Sequence, residues 1–139
     1  MALSEKASNV NWLMANFVRS TPGVEQAVAV SSDGLLIALS AQLDRAAADK
    51  LAAIITGMRA LAHGAAGELV KGPVMQVLVE MAEGYLFVAA IGGGSTVGVV
   101  AARDSDLGQV GFEIALLVER VGAQHTPALI TELKNSLVA

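Results

Sequence analysis

Cysteine is absent from the 139-residue chain, which excludes disulfides and thiolate metal sites. Aromatic residues are scarce, and Trp12, Phe17, Tyr85, Phe87 and Phe112 form no stacking platform for nucleic-acid bases. Nine lysines and arginines face thirteen acidic residues, for a formal charge of −4, and no basic cluster is present to displace counterions from phosphates. Nucleic acid is therefore not an expected partner. No run of about 18 apolar residues could span a bilayer. Glu5 and Lys6 fall where a signal peptide needs its apolar segment, so the expectation is a soluble, cytoplasmic protein without membrane insertion.

What is present is apolar and small. Hydrophobic residues make up 54% of the chain and charged residues 16%, and mean hydropathy is +0.58. Such a surplus of apolar surface in a soluble chain points to burial between subunits. The length suits one domain, residues 1–139, with a core over 4–122 and a short C-terminal helix over 126–138.

Residues 4–20 read as a helix with Val10, Leu13, Met14 and Phe17 on one face, ended by Thr21-Pro22-Gly23. VEQAVAVS and LLIALSAQ flank Asp33-Gly34, a hairpin signal, with Val24, Gln26, Val28 and Val30 on one face of the first strand. Asp44 caps a long helix that Gly64 or Gly67 stops. VMQVLVEM, YLFVAAIG and TVGVVAAR then follow with links too short for anything but antiparallel hairpins. Asp106 caps a helix aligning Val110, Ile114, Leu117 and Val121, with Gly122 at C′. Thr126-Pro127 opens the last helix, whose apolar positions are Leu129, Ile130, Leu133 and Leu137. The order α-β-β-α-β-β-β-α-α is that of an α+β sandwich: a five-stranded antiparallel sheet with helices packed on it.

The long helix carries three stripes when wound at about 100° per residue. Ala47, Leu51, Ile54, Met58, Leu61 and Ala65 make an apolar one, expected to cover the sheet. Ala46, Ala53, Gly57, Ala60 and Gly64 make a seam of small residues that would admit a second helix closely. Each glycine costs roughly 1 kcal/mol against alanine inside a helix, so a compensating contact is expected. Arg45, Asp49, Thr56, Arg59 and His63 make a polar stripe, a candidate docking face. The plainer alternative is an alanine-rich helix with a weakly polar side facing water.

Motifs that could carry chemistry are weak. Gly92-Gly93-Gly94-Ser95-Thr96 lacks the lysine and following helix of a phosphate loop and reads as a hairpin turn. His63 and His125 lack metal-ligand spacing, Asp104 and Asp106 lack the further oxygens of a calcium loop, and Ser31, Ser32 and Ser95 have no evident base. No metal, cofactor or catalytic residue is expected. Arg45 and Arg59 raise the question of an arginine that stabilises a phosphoryl-transfer transition state, against plain contact or solvated charge.

Three stretches carry a resemblance: FVRSTPGVEQAVAVSSDGLLIA, LDRAAADKLAAIITGMRALA and RDSDLGQVGFEIALLVERVG. With them the chain resembles the roadblock / dynein light chain family, in its bacterial, actinomycete, conservon-type branch, over residues 10–122. The resemblance implies a profilin-like sheet with the long helix on one face and the terminal helices on the other. It implies dimers in which the long helices lie side by side and the third strands, Val74 to Met81 here, pair edge to edge. It further implies a non-enzymatic regulator or scaffold of a small Ras-like GTPase, in a module that includes a sensor-kinase-like protein. The alternatives are an adaptor for that kinase-like protein without effect on a GTPase, and a domain sensing a small ligand between sheet and helix.

Overall fold

The computed structural model describes residues 3–40 and 43–138. Nine elements follow in the expected order: α1 (Glu5–Ser20), β1 (Val24–Val30), β2 (Leu36–Leu39), α2 (Arg45–Leu69), β3 (Gln76–Met81), β4 (Gly84–Gly92), β5 (Ser95–Ala102), α3 (Leu107–Gly122) and α4 (Pro127–Val138). The end of the expected second strand, Ala41 and Gln42, lies outside the described residues. All strands pair antiparallel in the order β2-β1-β5-β4-β3. The chain must therefore pass from one edge of the sheet to the other between β2 and β3. At 1.5 Å per residue the 25 residues of α2 reach roughly 37 Å, ample to cross four strand spacings.

Caps set the helix starts as the sequence indicates. Ser4 accepts from the Ala7 N–H, Asp44 from Ala46, Asp106 from Gln109 and Thr126 from Leu129, each satisfying an otherwise orphan donor. The helix ends differ more. Gly64 and Gly67 do not stop α2; it runs on to Leu69 and ends at Val70, held in the left-handed region at φ 52° while its N–H bonds Ala66 O. Gly122 is the last residue of α3 rather than the residue beyond it.

The sheet separates two cores. On one face α1, α3 and α4 bury Val10, Met14, Phe17, Val110, Ile114, Leu117, Leu129 and Leu133 against Ala27, Ala29, Phe87, Val97 and Val99. On the other, α2 packs on Val28, Val30, Leu36, Leu86 and Val88. A register shift between Val24 and Gln26 places Val24 in the first core, so it does not share a face with Val28 and Val30.

The sheet-facing side of α2 is also not the expected one. Ala48, Ala52 and Ile55 are buried, with Leu51 and Met58 partly so, whereas Ala47, Ile54, Leu61 and Ala65 face outward. The reason lies in β5. Thr96, Gly98 and Val100 alternate toward α2, and Gly98 leaves a gap that Ile55 fills: a Cβ there would stand 2.2 Å from Ile55 Cδ1. A narrow alanine-rich face reaches such a sheet more closely than a broad leucine face could, and dense packing favours it. Gly98→Ala is expected to destabilise the fold by about 1–3 kcal/mol through overpacking, seen as a lower midpoint in urea denaturation. An unchanged midpoint would mean that Ile55 moves aside freely.

Candidate interaction surface

The rotation of α2 exposes what the sequence suggested would be inside. Ile54 is 54% exposed and Leu61 78%, beside the outward-facing Ala46, Ala53, Gly57, Ala60 and Gly64. Nothing lies within 4 Å of the position a Cβ would take on Gly57 or Gly64. Packing within the chain thus gives neither glycine a reason to be small. Beyond them Leu69, Val70 and Met75 are exposed too, as are Leu78 and Met81 of β3, although Leu78, paired with Phe87, lies on the face of the sheet away from α2. β3 is an edge strand, with Val77 and Val79 turned toward the α2-side core and Gln76 and Glu80 exposed. Among the described residues its outer N–H and C=O groups have no strand partner.

The opposite edge is covered. α4 packs along β2, burying Leu129 and Leu133, and is fastened by polar contacts at three points. Both Glu132 carboxylate oxygens accept from Ser4, at 2.6 Å each. Lys134 Nζ bonds Asp33 Oδ2 at 2.8 Å, and the Arg45 guanidinium donates to Leu137 O. The two sheet edges are therefore unequal, one closed by the chain itself and one open.

The polar stripe of α2 divides along its length. Arg45 Nε bonds Asp49 Oδ1 at 3.1 Å, and both side chains are about half exposed. Thr56 Oγ1 donates to Ala52 O at 2.8 Å and abuts Gly34 in the β1–β2 turn. Arg59 is partly buried and donates to Gly94 O, fixing the β4–β5 turn, whose glycines take φ values of 126°, 59° and 84° that other residues rarely adopt. His63 is exposed. Asp49 and His63 are exposed, Arg45 is half exposed but also holds the end of α4, and Thr56 and Arg59 reach the two turns beneath the helix.

The same turn is held from the other face by a contact not evident in the sequence. His125, just before α4, has Nε2 2.6 Å from Ser95 Oγ. This supplies the base that Ser95 seemed to lack, yet Ser95 is 1% exposed, and His125 Nδ1 has no hydrogen-bond partner among the described residues. A hydroxyl shut off from solvent beside an unoriented imidazole is a structural tie rather than a nucleophile. Among the described residues no three His, Asp or Glu side chains converge on a possible metal position, and no helix is long and apolar enough to cross a membrane. Other residues overlooked in the sequence are Ile54 and Leu61 as outward groups and Thr96 as a buried hydroxyl. The alternation Thr96-Val97-Gly98-Val99-Val100 held the signal for the last.

A five-stranded antiparallel sheet crossed by one long helix, backed by terminal helices and open along β3, defines a roadblock-type α+β domain. The chain belongs to the Roadblock/LC7 domain family, which it matches over residues 10–101. It is similar to a Roadblock/LC7 domain of Streptomyces avermitilis, at 37% identity over 80% of this chain and 92% of that one, with a TM-score of 0.76. MglB of Myxococcus xanthus shares the fold at 18% identity, covering 88% and 92% of the two chains with a TM-score of 0.79. An MglB with a tetrameric arrangement shares it at 16% identity, covering 89% and 93% with a TM-score of 0.79. No functionally curated protein matches the chain.

Two ties give the fold a pH dependence of known sign. Hydrogen bonds from Lys134 and then Ser31 lower the Asp33 pKa from 3.8 to about 2. The stability this contributes is present above pH 3.8 and is lost as pH falls through 3.8 toward about 2. Burial pushes His125 below its ordinary 6.5. The unfolded chain then takes the proton first, so stability also declines as pH drops below 6.5. Lys134→Met is expected to flatten the acid limb, and His125→Gln the limb below pH 6.5, in urea midpoints measured across pH. Parallel profiles for variant and parent would remove these groups as the cause.

Proposed function

We propose that this protein is a non-enzymatic, homodimeric regulator or scaffold of a small Ras-like GTPase in a bacterial signalling module. The observation that carries the reading is that one chain leaves both an apolar face of α2 and the β3 edge of its sheet uncovered. A two-fold pairing there would bury Ile54, Leu61 and the small seam against their copies while joining two sheets through β3. It would also offset the cost of Gly57 and Gly64, which is roughly 1 kcal/mol each. Membership of the Roadblock/LC7 family and the GTPase association implied by the roadblock resemblance supply the class of partner.

In this reading the paired helices form a symmetric platform, with Arg45, Asp49 and His63 as its accessible polar heads. Thr56 and Arg59 complete the stripe from partly buried positions. The GTPase docks on that platform through its switch surface. Any change in hydrolysis then comes from ordering the switch segments, a positional effect in which this chain contributes no reacting group. Attachment of a sensor-kinase-like protein belongs to the same module.

Gly57→Leu is expected to force the helices apart and give monomers by light scattering at concentrations where the parent is dimeric. A dimeric variant would remove the seam from the interface. Binding of the protein to the GTP and GDP forms of a Ras-like GTPase encoded beside it, with hydrolysis rates measured in parallel, tests the partner. Preference for the GTP form supports regulation. Absence of binding to both forms leaves the adaptor role.

A further inference from the structure

Two charges on the open face of α2 have no evident task within one chain. Lys50 and Glu68 are both exposed, and neither forms an ion pair among the described residues. At about 100° per residue they fall with Ile54, Gly57 and Leu61 inside an arc of about 60°. That arc lies on the side of the helix away from the buried Ala48, Ala52 and Ile55. Glu68 also stands in the last turn of α2, which holds no basic residue. The negative end of the helix dipole disfavours a carboxylate there, whereas the start of another helix would favour it. Size follows the same plan. Counting from Gly57, Ile54 lies three residues before it and Ala60 three after, Ala53 four before and Leu61 four after, Lys50 seven before and Gly64 seven after. In each of these pairs one member is large and the other small. A second α2 turned end for end about Gly57 therefore sets each large group of one copy over a small group of the other. Pairing of the β3 edges asks for that same reversal, since a two-fold axis normal to the sheet turns strand and helix together.

We propose that Lys50 of each chain pairs with Glu68 of a second copy. These two symmetric ion pairs fix the register of an antiparallel α2–α2 contact and select this chain over others of the same fold. The pairing presupposes the self-association proposed above and supplies its recognition element. In this register Lys50 lies over Gly64 of the other copy, one turn short of its Glu68. Helical side chains lean toward their own N-terminus. In antiparallel helices Lys50 and the second copy's Glu68 therefore lean toward one another, and the glycine between them leaves room for the lysine stem. Arg45 and Asp49 do not offer the same match, because they already bond each other along one helix. A chain of the same fold with other charges at these two positions would meet an unpaired or like charge at each end of the contact.

The test is a charge exchange in the full-length protein, read by light scattering across a dilution series, with urea midpoints confirming that each variant folds. Lys50→Glu alone and Glu68→Lys alone each place like charges together twice per dimer. Each is expected to weaken dimerisation about tenfold, and high salt to shrink the loss. The double variant restores opposite charges in reversed order and is expected to dimerise like the parent. Mixing the two single variants, one of them tagged, is expected to give chiefly the heterodimer by native mass spectrometry. Parent-like dimers from both single variants, or a double variant as weak as the single ones, would overturn the ion pair. In the first of these cases a monomeric Gly57→Leu variant would still uphold the dimer and discard only this register. A parent that stays monomeric throughout would remove the self-association reading and the ion pair with it.

Discussion

The seat of Ile55 over Gly98 governs how the rest of the molecule presents itself. A sheet position without a side chain admits one bulky residue from the helix above it, and that contact fixes the rotation of α2 about its own axis. With Ile55 inward, Ala48 and Ala52 must follow it to the sheet, since they lie within one helical face. Ile54, Leu61 and the small seam are then carried outward. Arg59 is carried over the β4–β5 turn, where it reaches Gly94. One close approach thus sets the outer face and the turn clamp.

The second constraint is topological. Because β2 and β3 lie at opposite edges, the link between them has to cross the whole sheet, and a long helix is the economical way to do so. α4 then closes the β2 edge, tied by Ser4, Asp33 and Arg45. The consequence is an asymmetric sheet. Unpaired strand edges are usually blunted by charge, proline or cover, and here the β2 side is covered while β3 keeps exposed Leu78 and Met81. An open edge next to an uncovered apolar helix face is the combination on which the proposed self-association rests.

Much of this was legible in the residues. The caps at Ser4, Asp44, Asp106 and Thr126 are local, since a side-chain oxygen two or three residues from an orphan N–H needs no tertiary partner. The four apolar positions of α3 and those of α1 repeat at the helical period and are buried as that period requires. Strand existence and antiparallel pairing of β3, β4 and β5 follow from links too short to cross over. The faces of α2 were less legible because the helix is apolar or small nearly all round, so periodicity marks several stripes without ranking them. Val24 was misplaced because a register shift is a property of the pairing, not of one strand. The Ser95–His125 tie, the Gly94–Arg59 clamp and the solitary Thr96 hydroxyl all join residues distant in sequence or facing a layer that only folding supplies.

The sequence by itself therefore determined the elements, their order, the antiparallel hairpins and the absence of disulfides, because each depends on contacts within a few residues or on composition. The tertiary structure decided which side of α2 meets the sheet, which edge stays open and which side chains tie the β4–β5 turn. Those outcomes depend on the fit between elements brought together from far along the chain. A small residue such as Gly98 specifies its partner only when the opposing helix is in place.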